Sequence, residues 1–335
     1  MRRVAGYICM FLGALMLMVG VLAKPVLYSN LAKVPLDQKI TLVSIGDHMS
    51  ALEASKEGVK VLTDVTLQNT RYVVGIPAKA KGNNAFWQYI VASKQVGGKD
   101  LDYSQEGVSF DRVTGQTTNC CGDYKSAGTV NDPSAIKNDF THHGLFFKFP
   151  FNTQKTIYQW WDGDLGRAMP IKFVRTQDIQ GVPTYVFQQT IGPETYAREK
   201  ALPGSLFNTT KPVDADAVYE NTRTLYVEPN TGVVIKGVEE QNKRLEAAGF
   251  AAVPITKGTI GYDAATVKKN VTDWGPKGKM LGLLNGPMTW IGILLGLLLL
   301  GAGAFLGFGG SKVTASSAST AGPESAADPT RASRK

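Results

Sequence analysis

VAGYICMFLGALMLMVGVLA, residues 4–23, carries no side chain that is charged at neutral pH. Its counterpart, PMTWIGILLGLLLLGAGAFLGF at residues 287–308, lies inside a second charge-free run, Met280 to Ser311. A helix needs about 20 apolar residues to cross the hydrocarbon core of a bilayer, and both stretches reach that length. Read outward from them, the chain divides into a short N-terminus (1–3), a transmembrane helix (4–23), a polar body (24–279), a second transmembrane helix (287–308) and a tail (311–335). The tail, SKVTASSASTAGPESAADPTRASRK, is too poor in large apolar residues to bury a core and is expected to be disordered.

Met1-Arg2-Arg3 and Val21-Leu22-Ala23 have the flanks of a secretion signal, but signal cores run about 7–15 residues and this one is longer. A retained anchor is therefore expected. Basic residues flank both sides of the spans: Arg2, Arg3 and Lys312 on one side, Lys24, Lys33, Lys277 and Lys279 on the other. The first helix usually decides orientation, and long loops cross largely regardless of charge. The reading is a two-pass plasma-membrane protein with both termini in the cytoplasm and the body outside. Gly6, Gly13 and Gly20 recur every seven residues, and Gly292-xxx-Gly296 and Gly303-xxx-Gly307 are small-xxx-small spacings. Such faces let helix backbones approach closely. They suit packing of the two spans on each other, or a homo-oligomer through Gly292, Gly296, Gly303 and Gly307.

The body reads mainly as strands, over 59–75, 85–96, 171–189 and 222–237, with residues rich in Val, Thr, Ile and aromatics. Hairpin turns are expected at Asp178-Ile179-Gln180-Gly181 and at Pro229-Asn230-Thr231-Gly232. Two passages share one pattern of apolar, acidic, x, x, Thr, Gly: Phe110 to Gly115 and Val227 to Gly232. They are read as one turn chemistry used twice. Residues 97–105 read as loop. Residues 238–248 suit either a helix or a charged strand. Asp263 caps a helix to Trp274, with Val267, Val271 and Trp274 on one face, leading through Gly275-Pro276 toward the second span.

Net charge is +8, with 36 Lys and Arg against 28 Asp and Glu, but the basic residues are dispersed, so nucleic acid is not an expected partner. The three cysteines are Cys9, in the first apolar stretch, and the adjacent pair Cys120 and Cys121, which is either a vicinal disulfide or two thiols in a turn. His142-His143 and His48 lack the spacing of a metal site and read as surface or hydrogen-bonded histidines. A role in pH sensing fits a group that titrates near neutrality. The chain has no Gly-x-Ser-x-Gly, Walker lysine loop or GxGxxG, and its paired carboxylates do not by their spacing make a glycosidase. No enzyme, cofactor or metal is expected.

GLFFKFPFNTQKTIYQWWDGDLG, residues 144–166, is the richest segment. Phe147, Phe149 and Phe151 alternate, which on a strand puts them on one face, and Trp160 and Trp161 follow. Such residues build a core, line an apolar ligand pocket or form an interfacial belt. Phe147, Phe149, Phe151, Trp160 and Trp161 are the candidate ligand-binding residues.

The phrases GLFFKFPFNTQKTIYQWWD and RTLYVEPNTGVVIKGVEEQNKR, together with the two-span layout, resemble the actinobacterial porin PorA-like family over nearly the whole chain. A transmembrane barrel needs tilted strands of about 9–11 residues with an apolar outer face and has no need of two apolar helices. A more distant likeness is to the class B scavenger receptors, through the layout and through Glu228-Pro229-Asn230-Thr231-Gly232 followed by Gln241 to Arg244. That likeness implies a barrel-like antiparallel outer domain with a hydrophobic tunnel for lipid. The expected fold is thus a membrane-anchored, mostly β, α+β protein. The expected function is to bind or transfer a lipid at the cell envelope. The alternatives are a porin or channel component and a structural scaffold.

Overall fold

A computed structural model describes residues 1–55, 58–127, 136–138 and 140–309; the expected tail lies outside the described residues. The chain forms two compact units, the first Met1–Gly20 with the residues from Ile291 onward, the second Val21–Trp290. In the first unit, α1 (Arg2–Leu22) packs against α4 (Pro287–Phe308). Both helices are long and apolar enough to cross a membrane. A Cβ at Gly6 would lie 2.6 Å from the Gly307 nitrogen, one at Gly13 2.8 Å from the Gly296 oxygen, and one at Gly20 2.9 Å from the Gly292 Cα. Only glycine lets the backbones meet at these distances. Gly292, Gly296 and Gly303 thus face α1 of the same chain, the first of the two packings that their spacing suits.

The second unit begins with a turn of π-helix, Ala23–Tyr28, and a short α2 (Ser29–Leu31). Among the described residues twelve antiparallel strands follow: β1 (Lys39–Ser55), β2 (Gly58–Gly75), β3 (Asn84–Gln95), β4 (Asp100–Asp111), β5 (Tyr124–Ala127), β6 (Ile136–Asn138), β7 (Ile157–Asp162), β8 (Arg167–Ile179), β9 (Val182–Leu202), β10 (Val213–Glu228), β11 (Val233–Glu246) and β12 (Val253–Tyr262). Every strand pairs with its neighbour in sequence except β6 with β7, and β12 returns to pair with β1. The sheet is therefore an open ladder, not a closed barrel. It is nevertheless strongly curled. Lys125 on β5 donates to the carbonyl of Gly163, just past β7, at 2.5 Å. Those strands stand ten positions apart in the order, about 48 Å on a flat sheet. Isolated bridges cross the gap, Phe110 with Thr117, Gln116 with Leu145, and Leu145 with Trp160.

The shared turn pattern is real. Asp111 accepts from the backbone N–H and hydroxyl of Thr114 at 2.7 and 3.0 Å, and Glu228 accepts from those of Thr231 at 2.7 and 2.6 Å. Gly115 and Gly232 supply the left-handed φ that ends each turn. Two local readings change and one open alternative is resolved. Residues 97–105 are not all loop, because β4 starts at Asp100. Residues 238–246 are strand, since β11 lies between two partners. The helix capped by Asp263 does not stop at Trp274; α3 runs Ala264–Asn285 with Pro276 inside it. Val267, Val271 and Trp274 do share its buried face, against Ile179, Val182 and Ile235.

Inside the curl the side chains are layered. One end is apolar, built on Phe149, Trp160 and Phe187 and on Trp87 and Phe110. The other end is also apolar, with Ala215, Ala217, Leu245 and Val253 and with Met49, Leu67 and Ile260. Strand β10 shows the sequence of layers along one edge: Val227 and Leu225 in the first core, then Arg223, Asn221 and Tyr219, then Ala217 and Ala215 in the second.

Candidate functional site

The polar middle layer is the candidate site. It is assembled from single residues of many strands: Ser44 of β1, Arg71 of β2, Asp162 at the end of β7, Gln189 of β9, Tyr219, Asn221 and Arg223 of β10, and Glu239 and Lys243 of β11. Alternation along each strand turns these residues inward. Arg223 lies 3.3 Å from both Asp162 and Glu239, and Arg71 lies 3.7 Å from the other oxygen of Glu239. Arg71 also donates to Ser44 at 2.6 Å and Arg223 to Gln189 at 2.6 Å. The Tyr219 hydroxyl donates to Asp162 at 3.0 Å, and Asn221 donates to Tyr219 and to Glu239. Lys243 meets Asp164 at 2.7 Å. Three cations thus face three carboxylates.

The electrostatics follow from burial and pairing. Burial pushes the Glu239 carboxyl up, but the Arg223 and Arg71 guanidiniums outweigh it and hold the group at about 2. Burial opposes the charge of Arg223, and Glu239 and Asp162 overcome it, so its value rises above that of a free arginine. Lys243 is raised by Asp164 in the same way, against its burial. Tyr262, buried beside this layer, is pushed up to about 12 by burial, with Arg71 pulling against it. Two buried polar atoms at this level, the indole N–H of Trp161 and the amide oxygen of Asn221, have no hydrogen-bond partner among the described residues.

A second polar node lies beside the gap in the sheet. His142 is fully buried between Glu106, 2.8 Å from Nε2, and Asp123, 3.3 Å from Nδ1. Phe140, Phe146 and Trp161 surround its ring. Burial lowers its basicity, but hydrogen bonds to the two carboxylates prevail and raise it above the ordinary histidine value. Cys120 and Cys121 form a vicinal disulfide, and the residues on either side of it grip His142. Asn119 bonds both the N–H and the C=O of His142, and Asp123 bonds its ring.

Comparison with known proteins agrees with the layout. A family model described as Porin PorA matches residues 5–305. The chain belongs to the Porin PorA family. Among its relatives, Porin PorA of Corynebacterium amycolatum is 27% identical over 307 residues, covering 72% of this chain and 77% of that one. Porin PorA of Corynebacterium resistens is 25% identical over 188 residues, covering 39% and 46%.

In this PorA-family chain Phe147, Phe149 and Phe151 do not share a strand face, because they lie in a strap, residues 146–156, that joins no strand. Phe149 and Trp160 are buried in one core, stacked at 5.0 Å. Phe147 and Phe151 pack with Trp87 and Phe110 in another. Trp161 turns to His142. The strap is pinned between the two acidic turns: Phe149 donates to Gly232, Thr153 to Pro229, and Phe151 to Val113. Lys148 of the strap is buried with its ammonium unpartnered among the described residues, 3.8 Å from the Phe151 ring centroid. Burial lowers it to about 7, against the pull of Asp111 and Glu228. A groove of about 430 Å³ beside Ile179, Lys236 and Val267 and another of about 390 Å³ beside Glu246 and Phe250 include none of the five aromatic residues.

Sequence reasoning missed the polar layer altogether. Its members are isolated charges on separate strands, and only the inward side of the β10 and β11 alternation, Tyr219-x-Asn221-x-Arg223 and Glu239-x-Gln241-x-Lys243, hinted at a polar interior.

Proposed function

We propose that the chain is a porin-family component of an envelope permeability pathway, in which a water-facing sheet body, held at the membrane by its two apolar helices, engages small hydrophilic solutes at its polar middle layer. The observation that carries this reading is that layer. A connected set of charged and amide side chains fills the middle of a curled sheet, between its two apolar ends, where a lipid tunnel would call for continuous apolar lining. The unpartnered Trp161 N–H and Asn221 oxygen supply a donor and an acceptor for a solute. The charges balance within the layer, which favours uncharged or zwitterionic solutes over ions of one sign.

The outer face of the sheet supports placement of the body in water. Strand β8 exposes Lys172, Arg175 and Gln177 there, and β9 exposes Gln188 and Thr190. A membrane-crossing barrel presents an apolar band there. On this reading the membrane is crossed by α1 and α4, and the body lies outside the cytoplasm. The test is solute flux from vesicles that carry the purified full chain. Efflux of a small sugar above that of protein-free vesicles, altered by Glu239→Gln, is the expected result. Efflux no faster than from protein-free vesicles overturns the proposal.

A further inference from the structure

The second unit carries an amphipathic surface that the solute pathway does not use. Ala23–Tyr28 packs beside α3, α2 continues from it, and Ala23 and Ala32 are buried. Facing outward are Val26, Leu27, Leu31, Met280 and Leu283, each 40–49% exposed. Elsewhere in the second unit, large exposed apolar side chains are scattered singly, such as Val96, Ile157 and Val174. Lysines accompany the patch: Lys24 in the π-turn and Lys268, Lys269, Lys277 and Lys279 along the exposed side of α3.

Charge is what identifies the occupant. Residues 1–36 and 274–311 contain no Asp or Glu at all. Lys269 has a local partner, Asp273 at 2.5 Å, and Lys277 lies 4.3 Å over the Trp274 ring. Lys24 and Lys279 lie in those acid-free stretches and face outward, and Lys268 is exposed on α3. On the exposed side of α3, Lys277 and Lys279 stand next to the apolar Met280 and Leu283, with Lys268 further back along the helix. That mixture suits a headgroup layer, where ammonium groups reach phosphates while their stems and the apolar residues sit deeper.

We infer that this face is an interfacial docking surface that binds anionic lipid headgroups through Lys24, Lys268, Lys277 and Lys279. The inference rests on the reading that α1 and α4 cross a bilayer. It adds that the bilayer is read by charge, so the body is held in contact with lipid instead of only tethered near it. Each lysine near an anionic surface adds attraction that falls off within a Debye length.

The full chain is reconstituted in vesicles of equimolar phosphatidylglycerol and phosphatidylcholine, floated on a density gradient, extracted in mild detergent, and its retained lipid quantified by mass spectrometry. The expected result is about a five-fold enrichment of phosphatidylglycerol. That enrichment is lost in the variant K24Q/K268Q/K277Q/K279Q, which still floats. It is kept in K172Q/R175Q/K200Q/K257Q, which removes the same charge from exposed strand positions. Parity of the two lipids in the wild type, or equal enrichment in both variants, overturns the inference while leaving the anchor intact. A wild-type chain that fails to float removes the spanning reading and the docking surface with it.

Discussion

The strap and the polar layer each bury a cation, and the two differ in every other respect. Arg223 of the polar layer lies against two carboxylates and an amide and is more basic than a free arginine. Lys148 of the strap has only the Phe151 ring and two distant acidic turns, and burial takes it down to about 7. The strap is packed by volume, through aromatic rings that need no directional partner. The polar layer is packed by pairing, and each member is fixed by the charge of the next. Removal of a group should therefore cost most where pairing is the organising force, and should help where a charge was left alone.

The largest effect is expected for Arg223→Ala, which strands Glu239 and Asp162 in the interior. A loss of about 4 kcal/mol in chemical unfolding is expected, enough to abolish folding in a marginal background. Retention of full stability would show that the polar layer is hydrated and not paired. Phe149→Ala comes next, at about 3 kcal/mol, from the cavity left among Trp160, Phe187 and Tyr158. A change under 1 kcal/mol would mean that the strap is loosely seated.

Lys148→Met has the opposite sign. It removes a buried ammonium, so a gain of about 1 kcal/mol is expected at pH 6. The lysine's folded value of about 7 is far below its unfolded one, so the wild type loses its penalty as pH rises above 7. The advantage of the methionine variant in thermal unfolding should therefore shrink by pH 9. A gain that does not depend on pH would assign it to packing.

The smallest effect is the titration of His142. Its folded value is raised, so its contribution to stability is complete below about pH 6.5 and is lost as pH rises through that raised value. His142→Gln should flatten this part of the stability profile. A profile unchanged by the substitution would mean that the Glu106 and Asp123 contacts are indifferent to its charge.

The sequence made the apolar half of this molecule legible. Two charge-free runs declare α1 and α4, glycine spacing declares how they meet, and β-branched runs with turn signals declare β2, β3 and parts of β8 to β11, while β1 and β12 passed unread. The repeat of acidic, x, x, Thr, Gly was readable because a turn is local chemistry. The strap misled because Phe147, Phe149 and Phe151 alternate as a strand would, and alternation does not reveal that two turns hold the backbone away from any ladder. The polar layer was illegible for a different reason. Arg71 on β2 and Glu239 on β11 stand three positions apart in the sheet, joined through β1 and β12, and no local pattern encodes that β12 returns to β1.

If α1 and α4 are what cross the bilayer, the sheet itself stands in water. Single cysteines at Lys172, Thr176, Gln188 and Leu294, placed in the full chain in vesicles, test it by their rate of reaction with a membrane-impermeant maleimide. The account predicts rapid labelling at 172, 176 and 188 from whichever side the body occupies, and none at 294. Protection of the three strand positions by lipid, lifted only when detergent is added, would contradict it and make the sheet itself the membrane-crossing element.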